Sequence, residues 1–252
     1  MRNVVITGAG GGLGRVCAES FGKLGDLVYA CDISATAIST LKSSSWVADA
    51  SVVDVADDRQ VDQFFDRVFG MVNCVDVLIN NVGVAGPVAL VELISRSGWA
   101  TTIDANLNGA FWAIQRVLPA MKTAKKGVIL NVSTCSVRTV PECRAPYVVA
   151  KAGLEALTRV VAREAGPYNI RCNAIRPGAM DNDRLARVLK NLAERTGRSA
   201  EDVERELLKY ASMRSKVSMD EVAALLQFFA SDAAAHITSQ IVEVDAGMQW
   251  EE

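Results

Sequence analysis

The run Val4, Val5 and Ile6 stops at Thr7 and passes into Gly8-Ala9-Gly10-Gly11-Gly12-Leu13-Gly14 before helical periodicity begins, and this junction restricts the fold more than anything after it. It implies a buried strand, a glycine turn and a helix, in that order. Glycine lets the backbone take positive φ angles and lets a diphosphate come close with no Cβ atoms in the way. The helix, from about Leu13 through Lys23, then presents its free N–H groups and positive dipole end to that anion. A second strand starts at about Leu27. The other reading of the same residues is a tight strand-to-helix turn that binds nothing.

Apolar strand-like runs recur at Leu27 to Cys31, Trp46 to Val53, Val75 to Ile79, Gly127 to Val132, Ile170 to Ile175 and Gln240 to Val244. Helical periodicity falls between them, near Ala35 to Leu41, Asp57 to Met71, Trp99 to Lys122, Pro146 to Ala165 and Met219 to Ala230. With the first strand this predicts an α/β chain: a seven-stranded parallel sheet with helices on both faces and ligands at the carboxyl ends of the strands. No linker divides the 252 residues, half of them apolar, so a single domain over 1–252 is expected.

The 27 basic and 29 acidic residues leave a net charge of -2, which offers no bulk attraction for nucleic acid and points to a small-molecule partner. The six cysteines form no C-x-x-C pair and the one histidine, His236, is remote in sequence from most of them, so free thiols are expected, with no metal site. No apolar stretch reaches the ~20 residues of a membrane span, and the first strand begins almost at Met1, leaving no room for a signal peptide. A soluble, cytoplasmic protein is expected.

Asp32 ends the second strand, eighteen residues beyond Gly14. In a dinucleotide fold such a carboxylate accepts hydrogen bonds from the adenosine ribose hydroxyls and repels a 2′-phosphate. Gly11 and Ile33, flanking the expected 2′ position, carry no positive charge. NAD is therefore favoured over NADP, the alternative being that Asp32 only caps the helix beginning near Ser34. Asp54, at the end of the third strand, lies where an adenine edge would sit or serves turn chemistry. Asn80 and Asn81 end the fourth strand and suit bridging of neighbouring strands and the lining of a ribose. Tyr147 and Lys151 are four residues apart in a helical stretch, which puts phenol and ammonium on one face. A free tyrosine has a pKa near ~10, and a neighbouring cation lowers it toward the working range of a base.

Together these residues resemble the short-chain dehydrogenase/reductase family over essentially the whole chain. The cofactor motif T-G-x-x-x-G-x-G is met by Thr7, Gly8, Gly12 and Gly14, and N-N-A-G appears as Asn80-Asn81-Val82-Gly83 with valine in place of alanine. The helix asparagine matches Asn106, with Gly109 following. Y-x-x-x-K is Tyr147 and Lys151, the P-G turn is Pro177-Gly178, and the closing D-G-G looks like Asp245-Ala246-Gly247. There are two departures. Thr134, thirteen residues before Tyr147, falls where the family has its catalytic serine, with Ser133 the runner-up and Ser136 third. Asn182 stands where a threonine often helps hold the cofactor.

The resemblance implies hydride transfer between NAD and a secondary alcohol, such as a sugar, polyol or cyclic alcohol, or its ketone. Tyr147 is the implied acid/base, Lys151 the holder of the nicotinamide ribose, Thr134 or Ser133 the donor to the substrate oxygen, and Asn106 the anchor of a relay water. Gly8, Gly12, Leu13 and Gly14 are the implied diphosphate contacts, with Asp32, Asp54, Val55 and Asn81 along the adenosine half and Pro177, Gly178 and Met180 near the nicotinamide. Residues 179–216 are expected to form a substrate lid, with walls from 85–93 and 135–146. Arg138, Arg144 and Arg176 raise the idea of an anionic substrate, against plain surface placement. The resemblance also implies a homotetramer, or a dimer. Its rivals are a catalytically silent NAD-binding homologue and an NAD-dependent epimerase or dehydratase.

Overall fold

The computed structural model describes residues 1–249, apart from the side chain of Arg195. The first half alternates strictly: β1 (Asn3–Thr7), α1 (Gly12–Lys23), β2 (Leu27–Asp32), α2 (Ala35–Lys42), β3 (Val47–Val52), α3 (Asp58–Met71) and β4 (Val77–Asn80). Then come α4 (Arg96–Ile103), α5 (Gly109–Ala124), β5 (Gly127–Val132), a single turn α6 (Ser136–Thr139), α7 (Ala145–Ala165) and β6 (Ile170–Pro177). The chain closes with α8 (Asp183–Thr196), α9 (Ala200–Leu208), α10 (Met219–Phe229) and β7 (Ile241–Val244).

All seven strands pair in parallel, in the order β3-β2-β1-β4-β5-β6-β7, as the apolar runs predict. Side chains alternate between the two faces of a strand. Val4 and Ile6 accordingly enter a core with Phe21 of α1 and Leu226 and Phe229 of α10, and Val5 enters the opposite core with Phe65 of α3, Val117 of α5 and Ala162 of α7. The strand order reverses between β1 and β4, which opens a crevice above their carboxyl ends. Caps set the helix starts: Asp57 accepts from the N–H groups of Arg59 and Gln60, and Ser218 with Glu221 forms a capping box on α10.

The helix expected over Trp99 to Lys122 forms, with its middle wound wider. A π-helical turn over Asp104–Asn108 separates α4 from α5. Asn106 sits in that turn, its Nδ2 donating to the carbonyls of Thr102 (2.8 Å) and Val84 (3.1 Å), and a Cβ on Gly109 would stand 2.5 Å from the carbonyl oxygen of Val55. The wider turn thus aims an asparagine at β4 and lets α5 pass close to the end of β3.

The segment after β6 folds as two helices. Leu189, Ala193 and Val203 bury one another between α8 and α9, with Leu185 and Leu207 packed against them. Leu192 and Met213 of the same segment stay exposed. The segment is tied at its base by Asp181 N–H to Val217 O and Val217 N–H to Ala179 O, both 2.9 Å. Among the described residues no helix is long and apolar enough to cross a membrane, and no group of side chains is arranged to hold a metal ion.

Candidate active site

The glycine turn leaves β1 with φ +65° at Gly8 and +51° at Gly12, in the left-handed region that favours glycine. At Gly14 the constraint is contact: a Cβ there would stand 2.1 Å from the carbonyl oxygen of Gly8. This lets α1 start hard against the turn, with no side chain capping its first N–H groups. Nothing lies within 4 Å of the Cβ positions of Gly11 and Gly12, which face a cavity of about 670 Å³.

That cavity runs from the turn along the carboxyl ends of the strands. One end is lined by Gly8, Gly11, Gly12, Leu13, Asp32, Ile33, Asp54 and Val55, its middle by Asn81 to Val84, and the other end by Ser133, Tyr147, Lys151 and Met180. The Asp32 carboxylate accepts from Gly10 N–H (2.8 Å) and Ser34 N–H (2.9 Å), and Ser34 rather than Asp32 caps α2 by accepting from Ala37 N–H. Asp54 takes part in the turn through Ala56 N–H (2.9 Å) and still borders the cavity. Asn81 joins β4 to β1, its Nδ2 donating to the carbonyls of Thr7 (3.2 Å) and Gly8 (3.0 Å).

Gly14, Pro177, Gly178, Asn106 and Thr134 stand behind this wall. Gly178 donates to Val244 O (2.9 Å), and a Cβ on it would strike Asp245 Cα at 2.6 Å, so the Pro177-Gly178 pair shapes the turn that delivers Met180. Asn182 spends its side-chain oxygen capping α8, accepting from Leu185 N–H at 2.9 Å.

Tyr147 and Lys151 both face the cavity from α7. Lys151 is 2% exposed, its Nζ donating to Val132 O (2.8 Å) and Val82 O (3.1 Å). Burial first, and the like charge of Arg184 second, push its ammonium down to about 7. Asn106 Oδ1 and Lys151 Nζ converge on Gly83, each 3.6 Å from where a Cβ would stand. Ser133 gives its hydroxyl hydrogen to Glu155 Oε1 (2.6 Å), whereas the Thr134 hydroxyl accepts from Ser136 N–H at 3.2 Å and donates to its Oγ at 3.3 Å. Cys135, buried beside them, has its thiol pushed up to about 11, chiefly by burial, which removes it as a nucleophile.

Of the three arginines expected near the site, two are neutralised. Arg176 is bidentate to Glu155 (2.7 and 2.6 Å) and reaches Glu243 (3.0 Å), while Arg138 pairs with Asp245 (2.9 Å) and Glu243 (3.2 Å). Arg144 instead lies over the Tyr147 ring, 5.0 Å from its centroid. Sequence reasoning missed Arg184, whose guanidinium is 5.6 Å from the same centroid and donates to Gly83 O at 3.2 Å. A signal existed: Arg184 sits in the first turn of α8, where the helix dipole disfavours a cation. Glu155, also missed, continues the spacing of four from Tyr147 and Lys151 along one face of α7.

A parallel, doubly wound sheet with its crevice at the strand-order switch defines a Rossmann-like fold, the class that takes ligands at that place. A family model described as enoyl-(acyl carrier protein) reductase matches residues 8–249. Levodione reductase of Leifsonia aquatica is 29% identical, with 98% of this chain and 93% of that protein aligned. Among solved structures, a NAD+-bound xylitol dehydrogenase superposes with a TM-score of 0.91 at 26% identity, covering 98% of each chain. An actinorhodin polyketide ketoreductase with NADPH superposes with a TM-score of 0.91 at 25% identity, covering 98% of this chain and 96% of that one. The chain belongs to the short-chain dehydrogenase/reductase family of oxidoreductases.

Proposed function

We propose that the protein is a NAD-dependent oxidoreductase that interconverts a secondary alcohol and its ketone, with Tyr147 as acid/base. The observation that carries this reading is a single cavity with Tyr147 and Lys151 at one end and a side-chain-free glycine turn with Asp32 at the other. The residues fit a nicotinamide dinucleotide: Gly11 and Gly12 leave open space for a diphosphate before uncapped N–H groups of α1, and Asp32 closes the adenosine end. When bound, the nicotinamide supplies the hydride acceptor or donor. Among the described residues no cation lines the end at Asp32, Ile33 and Asp54, so a 2′-phosphate there meets a carboxylate without a counter-charge. The relatives named above include a NAD-bound and a NADPH-bound enzyme, which makes Asp32 the deciding residue.

Tyr147 exchanges a proton with the substrate oxygen. Thr134 or Ser133 donates to that oxygen: Ser133 lines the cavity but gives its hydrogen to Glu155, whereas Thr134 stands behind the wall and need only release the longer bond to Ser136. Lys151 and the neighbouring guanidinium groups supply positive potential where the oxygen gains charge. The Oδ1 of Asn106 accepts one N–H, from Val84, and its remaining lone pair is the place for a water leading to Lys151. The α5 and α7 helices expose Phe111, Val149 and Val160, which supports a homotetramer, or a dimer, built on these faces; sedimentation as a monomer at working concentration would contradict it.

The test is a screen of secondary alcohols and sugars with NAD and with NADP, read by absorbance of the reduced nicotinamide. Net NADH formation is expected; a silent binder yields none, and an epimerase accumulates little. Tyr147→Phe is expected to lower turnover by about 10²-fold or more while still binding NAD, and an active Phe variant overturns the assignment.

A further inference from the structure

We propose that Arg144 and Arg184 clamp an anionic group of the substrate itself, so that the compound turned over is a small hydroxy- or keto-acid carrying a carboxylate or sulfonate. This rests on the alcohol–ketone reading above and specifies its substrate.

Two arginines line the cavity, Arg184 and Arg187, and Arg144 reaches its Tyr147 end by lying over the Tyr147 ring. Arg138 and Arg176 are consumed by Asp245, Glu243 and Glu155. Among the described residues, no carboxylate lies within ion-pair distance of Arg144 or Arg184. The two guanidinium groups instead converge on one aromatic ring, 5.0 and 5.6 Å from its centroid. Burial, and to a smaller degree the charge of Arg184, hold Arg144 below its ordinary range against a raising influence from Tyr147, and Arg184 also depresses Lys151. Lys151 and Arg184 thus line the cavity, with Arg144 beside them over the Tyr147 ring. Of the acids bordering that end, Asp181 is held by Lys216 at 2.9 Å, and Asp183 stands in the first turn of α8. Asp32 and Asp54 lie at the opposite, nucleotide end.

Uncompensated like charges brought together at partial burial are unfavourable, and an oxyanion between them removes the repulsion and gains charge-assisted, planar hydrogen bonds. The cofactor's diphosphate does not fill this role, because its place is the glycine turn at the start of α1. Arg184 comes from the lid and Arg144 from the loop entering α7, so an anion joining them also closes the lid over Tyr147.

The test compares matched methyl ketones with NADH: acetoacetate, levulinate and acetonylsulfonate against acetoacetamide and levulinamide. At least one anion is expected to exceed its neutral counterpart by about 10-fold to 100-fold in kcat/KM, as charge-assisted hydrogen bonds imply. The carboxylate and sulfonate arms distinguish the two oxyanions. In Arg144→Met and Arg184→Met the anion-to-neutral ratio falls toward one, mainly through KM. Neutral ketones reduced as well as anions by the unaltered enzyme overturn the proposal. So does an Arg184→Met defect that appears in NAD affinity with the ratio unchanged, which assigns that residue to the cofactor. Calorimetric titration of the same ketones into enzyme saturated with NAD keeps the two readings apart. Anion-selective binding without turnover of any alcohol or ketone sinks the oxidoreductase reading and keeps the clamp; binding that ignores charge sinks the clamp.

Discussion

Replacing Lys151 by methionine in the cofactor-free protein probes what the site costs the fold. The ammonium is buried in the cavity wall with two carbonyl partners and, among the described residues, no carboxylate, and burial, aided by the charge of Arg184, holds it at about 7 against 10.5 for an ordinary lysine. That difference corresponds to about 5 kcal/mol of native-state stability forfeited below pH 7. Methionine restores it but strips the carbonyls of Val82 and Val132 of their donor, a loss of about 1–3 kcal/mol each. At pH 6 the variant is therefore expected to match or exceed the parent by up to about 3 kcal/mol. The pH dependence is the sharper test. Between pH 7 and 10.5 the unfolded lysine holds a proton that the folded one has lost, so parental stability gains from this group as pH rises. The variant lacks that gain, and its relative advantage should shrink by about 3 kcal/mol from pH 7 to 9.5. Urea unfolding at pH 6, 7.5 and 9.5, followed by circular dichroism, measures it. Cys17 and Cys31, whose thiols burial pushes up to about 12, also titrate differently in the two states, but equally in both proteins, so they cancel in the difference. A difference that is flat or grows with pH refutes the buried-ammonium argument.

Gly14→Ala drives a methyl into the Gly8 carbonyl, so the turn or α1 must shift; a loss of about 1–3 kcal/mol in urea and weakened NAD binding by fluorescence titration are expected. Asp32→Ser removes the carboxylate at the adenosine end, and the NAD-to-NADP ratio of kcat/KM should fall by about 10-fold or more, the equivalent of one charge-assisted hydrogen bond. Glu155→Gln removes the carboxylate that does most to raise the Arg176 pKa and leaves only Glu243 to pair that guanidinium, so about 1–3 kcal/mol of stability should disappear in the same urea assay.

What could be read from the chain before folding was whatever is encoded within a few residues. The seven strands, the glycine turn, and the Tyr147 and Lys151 pair depend on local pattern, and the structure puts all of them where the pattern does. The π-helical turn at Asp104–Asn108 was illegible because its cause is a tertiary bond from Asn106 to Val84, across a chain separation no periodicity reports. Charge was harder still. Arg138, Arg144 and Arg176 look alike as letters, and what separates them is register and topology: β6 against β7 pairs Arg176 with Glu243, which then holds Arg138 as well. Arg144 has no such strand partner, and it meets Arg184 only because the segment after β6 folds back over α7. A charged wall built from the start of one helix and the start of another is a property of the assembled crevice. Its residues can be tested only as a pair: if Arg144→Met and Arg184→Met act on one bound oxyanion, their effects on the anion-to-neutral ratio should be markedly non-additive in the double variant, whereas two arginines serving separate groups should simply add.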